Sequence, residues 1–226
     1  MTQDEAKRAV AKRAVAFVED GMRVGLGTGT TATMFIHELA ARVKTGLRIR
    51  CVASSDASHK LGASLGMDVT TLDELPELDV YIDGADEVGP GLALIKGGGG
   101  ALLREKIVAS SAKRFIVVAD STKVVDCLGR FPLPVEVIKM ALHLVGPKLQ
   151  ALGLNPSQRP AKSGDGPYLT DEGNYILDCA CGEIADPART AAEIRSIVGV
   201  VEHGLFLNMA SLALIAGDDG VTERAA

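Results

Sequence analysis

The chain has 226 residues, of which 47% are hydrophobic and 23% charged, enough apolar mass for one large domain or one and a half smaller ones. A formal charge of -5, with no Lys/Arg-dense block, argues against a nucleic-acid surface built on clustered cations and leaves room for a small anionic ligand in a local positive pocket. Cys51, Cys127, Cys179 and Cys181 fit neither a disulfide framework nor a zinc-binding CxxC pair, the N-terminus has no apolar signal region, and no apolar run reaches ~18 residues, so a cytoplasmic protein with reduced thiols is expected.

Thr2 followed by Glu5 has capping-box spacing, and apolar residues at 6, 9, 10, 14, 17 and 18 continue at helical period to Gly21. RVGLG from Arg23 reads as a buried strand, TATMFIHELAARVKTG as a helix closed by Gly46, and IRCVASS as a second strand. A helix DASHKLGASLG, a strand MDVTTL, a strand LDVYIDG, a helix ALLREKIVASSA and a strand RFIVVAD follow. Near-continuous apolar strands alternating with helices predict a mostly parallel sheet covered on both faces, which binds ligands beyond the carboxyl ends of its strands. The three unusual loops, after Gly27, Ser54 and Ile82, all belong to that end.

From about Phe131 the pattern changes. FPLPVEVI reads as a short strand, HLVGPKLQALG as a helix weakened by Gly146 and Pro147, and three short strands are expected around 158–162, 167–170 and 175–181, the last two joined by the turn TDEGN. PARTAAEIRSIVG is a helix with proline in its first turn, and GVVEHG returns as a strand. The expected organisation is a catalytic domain over 1–130 and 205–226 with a small α+β insert over 131–204. The closing GLFLNMASLALIAG is apolar enough to rejoin the main sheet.

Four stretches carry candidate chemistry. GLGTGTT lies between a strand and a helix, where glycine N–H groups, the helix N-terminus and threonine hydroxyls suit a phosphate; a tight turn with a threonine cap is the plainer reading. The spacing is not GxGxxG and there is no Walker lysine, so a monophosphate suits it better than a dinucleotide. SSDAS reads first as a helix N-cap, with lining of the pocket as the alternative. DGADE sets Asp83, Asp86 and Glu87 at the end of a buried strand, where a metal, a polyhydroxylated ligand or Lys96 would offset their repulsion. KGGGGALLREK joins Lys96 to four glycines and a helix; a flexible linker is the usual meaning of such a run, but the flanking strand and helix favour close backbone approach to a ligand. Taken alone, Glu105 between Arg104 and Lys106 reads as a solvated helical charge.

In this order GLGTGTT, SSDAS, DGADE, KGGGGALLREK and ADSTKVVD resemble ribose-5-phosphate isomerase of the A type, and LGRFPLPVEVI, TDEGNYILD and the closing GLF extend the likeness over nearly the whole chain. The resemblance implies a Rossmann-like sheet with a ferredoxin-like insert, and conversion of D-ribose 5-phosphate to D-ribulose 5-phosphate in the pentose phosphate pathway without metal or organic cofactor. It implies Glu105 as the base that carries a proton from C2 to C1 through an enediolate. Lys96 and the N–H groups of Gly97, Gly98 and Gly99 would face the oxyanion. Asp83 and Asp86, with the intervening Gly84 and Ala85, would hold sugar hydroxyls and assist ring opening. Thr28, Gly29, Thr30 and Thr31 would bind the phosphate, with Lys123 and Lys7 supplying cations. A homodimer or homotetramer is implied as well. Thr30 stands where serine is common, and Gly100 and Leu103 lie in a segment often written KGGGAALTREK, so a hydroxyl beside the base is absent. The rival readings are a phosphosugar-sensing domain without turnover and an isomerase of another sugar phosphate.

Overall fold

A computed structural model describes residues 1–225. In chain order its elements are α1 (Gln3–Ala14), β1 (Arg23–Leu26), α2 (Thr30–Lys44), β2 (Arg50–Ala53), α3 (Asp56–Ser64), β3 (Val69–Thr70), β4 (Val80–Gly84), β5 (Glu87–Val88), β6 (Leu94–Ile95), α4 (Leu102–Ser110) and β7 (Phe115–Asp120). There follow β8 (Leu133–Val137), α5 (Leu142–Ala151), β9 (Pro156–Gln158), β10 (Tyr175–Cys179), α6 (Pro187–Arg195), β11 (Val200–His203), β12 (Leu205–Phe206), β13 (Leu212–Gly217) and β14 (Gly220–Ala225). Packing divides the chain into two compact units, one made of Met1–Ala85, Arg104–Val124 and the chain from Asn208 on, the other of Asp86–Leu103 and Val125–Leu207.

The first unit holds a seven-stranded sheet in the order β14-β13-β7-β4-β1-β2-β3, parallel except for β14. Its central strands are buried on both sides, as the run Phe115–Asp120 shows by being buried at every position. Val24, Leu26, Val80, Ile82, Ile116 and Val118 point to one face, where α1 and α2 supply Val10, Ala14, Phe35, Ile36 and Leu39 to a common core. Alternate residues Gly25 and Tyr81 point to the other, beneath Val108 of α4. α1 begins with the expected capping box, Thr2 N–H donating to Glu5 Oε2 at 2.7 Å and Glu5 N–H to Thr2 Oγ1 at 3.3 Å. Because the chain runs β1 to β3 in one direction and then crosses to β4 on the opposite side of β1, the strand order reverses between β1 and β4. In such sheets the crevice beyond the carboxyl ends at that reversal is the natural ligand site.

The second unit contains a four-stranded antiparallel sheet, β11-β8-β10-β9, and a three-stranded antiparallel sheet, β12-β6-β5. The sequence β8-α5-β9-β10-α6-β11 with that strand order is a ferredoxin-like arrangement. Val135, Val137, Leu177 and Cys179 of the sheet pack with Val145 and Leu149 of α5 and Ile194 of α6. α5 runs through Pro147, an exposed position of the helix that has no N–H to donate.

Several elements differ from expectation. Residues 167–170 form no strand: Pro160 and Pro167 make an isolated bridge, and Tyr168 N–H donates to Arg159 O at 2.8 Å, so the segment folds as a strap. The strand expected at 158–162 lies earlier, at Pro156–Gln158, because Pro160 has no N–H for a ladder. The closing apolar segment splits: Leu205–Phe206 pairs with β6, and Leu212–Gly217 lies parallel to β7 in the large sheet. The antiparallel edge strand Gly220–Ala225 was not expected, since its polar composition carries no core signal. Residues 86–103, 125–130 and 205–207, assigned above to the catalytic domain, pack with the small sheet's unit.

Candidate active site

In the first unit the crevice is organised by Asp83, the fully buried fourth residue of β4. Its Oδ1 accepts from Thr28 N–H at 2.9 Å and from Gly84 N–H at 2.7 Å, and its Oδ2 accepts from the Tyr81 hydroxyl. The carboxylate thus ties the loop after β1 to the end of β4. Gly27 is what allows the approach: a Cβ there would lie 2.2 Å from Asp83 Oδ1 and 2.6 Å from Asp83 Cα. Burial, with Asp83 and Glu105 close by, pushes the Tyr81 phenol well above its ordinary value, so it stays a hydrogen-bond donor.

Thr28 Oγ1 is 2.8 Å from Ser54 Oγ and 3.4 Å from Ser58 Oγ, and Ser58 Oγ donates to Gly27 O at 2.6 Å. SSDAS therefore supplies the N-cap expected of it and a brace that neither reading foresaw. Ser55 caps α3 by accepting from Ser58 N–H at 3.1 Å, while Ser54 and Ser58 brace the Thr28 loop. The N-terminus of α2 is different. Its N-cap, Gly29, provides no side-chain acceptor, whereas α1, α3 and α6 are each capped by a side chain. Gly29 and Thr30 are exposed and Thr31 half-buried, so the first turn of a 15-residue helix presents N–H groups and hydroxyls outward, the arrangement that receives an anion.

Glu105 lies in the first turn of α4 and is only 3% exposed, not the solvated surface charge its neighbours suggested. Its neighbour Arg104 turns instead to Asp56, 2.6 Å away. Lys123 is half-buried in the turn that follows β7, whose carboxyl end shares an edge with that of β4. Lys7 is half-buried on α1, which packs against α2, β7 and β13.

In the second unit the glycine run is a tight turn, Gly100 N–H donating to Gly97 O at 2.9 Å, with φ of +100° at Gly97 and +90° at Gly100. Asp86 Oδ2 accepts from Gly98 N–H at 2.7 Å, and Asp86 N–H donates to Ile95 O at 2.8 Å. Lys96, 2% exposed, is pinned through its N–H to Gly204 O at 2.9 Å, and its Nζ lies 5.6 Å from the centre of the Phe206 ring. Glu87, which had no assigned part, accepts from Gly129 N–H at 2.7 Å and Phe131 N–H at 2.6 Å and so holds the loop before β8. Backbone N–H groups therefore take up each acid of DGADE. Among the described residues no group of three or more His, Cys, Asp or Glu side chains is placed to hold a metal ion.

Sequence reasoning missed Tyr81, Arg159 and Tyr168. Tyr81 had a signal, a single aromatic two residues before Asp83 on an otherwise aliphatic strand and hence on the same face. Arg159 and Tyr168 had none, because a strap has no periodicity. Arg159 forks onto Asp178 at 2.8 and 2.5 Å and donates through Nη1 to Gly97 O at 3.0 Å and Gly98 O at 3.2 Å, while Tyr168 OH donates to Gly99 O at 3.3 Å.

Comparisons with known proteins identify the family. A family model described as Ribose 5-phosphate isomerase A (phosphoriboisomerase A) matches residues 50–220. The chain is 54% identical over 220 residues to ribose-5-phosphate isomerase A of Roseiflexus sp. (strain RS-1), covering 96% of this chain and 94% of that one. The solved ribose 5-phosphate isomerase A of Methanocaldococcus jannaschii superposes with a TM-score of 0.95 at 39% identity, with 100% of both chains covered. A D-ribose-5-phosphate isomerase in complex with phospho-erythronic acid superposes with a TM-score of 0.97 at 38% identity, again over 100% of both chains. No helix among the described residues is long and apolar enough to cross a membrane. On the family model and on relatives this similar over nearly their whole length, the chain belongs to the ribose-5-phosphate isomerase A family.

Proposed function

We propose that the chain interconverts D-ribose 5-phosphate and D-ribulose 5-phosphate through an enediolate with Glu105 as the base. The observation that carries this reading is the burial of Glu105 close to Tyr81, in a family that acts on this phosphosugar. A carboxylate withdrawn from water is a stronger base toward a carbon acid than an exposed one, and its conjugate acid can return the proton. Glu105 removes the C2 proton, the electron pair moves toward C1, and negative charge develops on O1. Glu105 then protonates C1, and transfer of the O2 proton to O1 completes the ketose. The hydrogen is only relocated, so the step consumes no redox cofactor.

Lys96 and the glycine turn supply the charge and N–H dipoles that favour the oxyanion. Gly98 N–H is occupied by Asp86, so this part falls to Gly97 and Gly99. Asp83 and Asp86, with Gly84 and Ala85, engage the sugar hydroxyls and assist ring opening. Gly29, Thr30 and Thr31 receive the phosphate at the start of α2, with Thr28 shaping the loop and Lys123 and Lys7 adding positive charge. Binding energy from the remote phosphate orients C1 and C2 against the base. Phospho-erythronic acid, bound by a relative, carries a planar carboxylate that shares charge and shape with an enediolate, which favours this mechanism over a passive sensor. The same reading makes the enzyme cytoplasmic, homodimeric or homotetrameric, and part of the non-oxidative pentose phosphate pathway.

The test is turnover of ribose 5-phosphate by the purified chain in EDTA, for the parent and for Glu105→Gln. We expect the parent to be active and the variant to bind phosphosugar while losing at least about a thousandfold in kcat, because the proton has no acceptor. A metal requirement, an inactive parent or a near-normal Glu105→Gln would refute the reading.

A further inference from the structure

We propose that Arg159 is a positioning residue for the isomerisation, one that sets the direction of the glycine peptide groups presented to the oxyanion. The inference rests on the proposed role of that turn and adds a residue outside every motif that suggested it. In a trans peptide the C=O of one residue and the N–H of the next lie in one plane and point in opposite directions. Holding a carbonyl therefore aims the following N–H.

Arg159 Nη1 holds Gly97 O at 3.0 Å, and the next N–H, that of Gly98, points away from the guanidinium to Asp86 Oδ2 at 2.7 Å. The same nitrogen holds Gly98 O at 3.2 Å, so Gly99 N–H is also aimed away from the guanidinium. Tyr168 OH holds Gly99 O at 3.3 Å, and the following N–H, that of Gly100, turns to Gly97 O at 2.9 Å. Of the N–H groups of Gly98, Gly99 and Gly100, that of Gly99 alone has no hydrogen-bond partner among the described residues. Its direction is set by Arg159.

A glycine peptide reorients at little cost because no Cβ opposes the change. A flip at Gly98–Gly99 would present a carbonyl dipole where the reaction needs an N–H, reversing the sign of the interaction with developing negative charge. Arg159 is well suited to prevent it. Its side chain is 12% exposed and is itself locked by two parallel bonds to Asp178 on β10. One planar fork thus joins a strand of the small sheet to two successive carbonyls of the turn. A lysine can satisfy one or two of these acceptors but not all in a fixed plane.

The experiment compares the parent with Arg159→Lys and Asp178→Asn in the full-length chain. Steady-state kinetics on ribose 5-phosphate, inhibition by phospho-erythronate and by inorganic phosphate, and thermal unfolding are measured for each. We expect Arg159→Lys to lose about 10- to 100-fold in kcat with KM within threefold. Affinity for phospho-erythronate should fall with kcat/KM, while inhibition by inorganic phosphate is unchanged. Asp178→Asn, which keeps the guanidinium but loosens it, should show the same pattern at about 3- to 10-fold and decides the matter if the lysine variant fails to fold. A folded variant with kcat within threefold of the parent, or one that loses phosphate inhibition in parallel, overturns the proposal. If the parent itself has no turnover, the functional reading fails and this one with it; an active parent with an unimpaired Arg159→Lys defeats this one alone.

Discussion

The two sheets solve the same problem differently. The large parallel sheet is covered by helices on both faces, so its polar groups emerge at strand ends, and Thr28 and Asp83 meet because β1 and β4 are neighbours in register. The small antiparallel sheet has helices on one face only. Over its other face lies the strap of residues 159–174, held by Asp178 on Arg159 and by buried Glu136, whose Oε1 accepts from Thr170 Oγ1 and Asn174 Nδ2, both at 2.9 Å. Burial raises the Glu136 carboxyl above its ordinary range, and the two donors oppose that shift. In the first unit topology brings the strand ends to one edge, where short side chains brace a loop between them; in the second, long-range side-chain bonds must fix a strap that no sheet ladder orders.

Three substitutions test the contrast, beginning with the largest effect. Gly27→Ala drives a Cβ into Asp83, including its backbone Cα at 2.6 Å, where nothing can yield without moving a strand. A loss of about 3 kcal/mol or more in urea unfolding is expected, together with loss of turnover. A loss below about 1 kcal/mol would show that the strand ends are less rigid than the parallel sheet implies. Gly100→Ala meets the tip of a side chain instead, Tyr168 OH at 2.2 Å, and forces an alanine to φ of +90°. Tyr168 can swing away, leaving mainly backbone strain, so about 1–3 kcal/mol is expected, with a kcat defect that exceeds any change in KM. Equal costs for the two glycines would erase the distinction between a backbone wall and a movable strap.

The smallest effect concerns the opposite end of the large sheet. Asp79 takes Arg23 at 2.9 and 3.1 Å and Lys113 at 2.9 Å, and these partners hold its carboxyl far below the usual carboxylate range despite partial burial. A depressed folded pKa stabilises the protein above the unfolded value of about 3.9 and stops doing so as pH falls through the folded value. Asp79→Asn should cost about 1–2 kcal/mol at pH 7 with kcat unchanged, and the difference in stability from the parent should shrink progressively below about pH 4. Thermal melts at pH 7 and pH 3 check this; a pH-independent gap would remove the ion pair as its cause.

Much of the first unit was legible because a buried parallel sheet writes its strands as apolar runs and its loops as polar breaks. RVGLG, VYIDG and FIVVAD fell where expected, and so did the helix that carries Glu105. The strap was misread because Tyr168 and Thr170 look like alternating strand residues, whereas prolines at 160 and 167 limit the pairing to one bridge. The edge strand Gly220–Ala225 escaped notice because a half-exposed strand needs little apolar content.

By itself the sequence determined the alternation of strands and helices, the loops that carry glycine and acid, and the family whose motifs they match. Those features depend on local composition and spacing, which a linear reading can see. Tertiary structure decided that Glu105 is buried instead of solvated, that Glu87 braces a loop, and that Arg159 reaches 62 residues back along the chain to the glycine turn. Burial and long-range hydrogen bonding depend on which segments the fold brings together, and no periodicity in the chain encodes the strap that does so here.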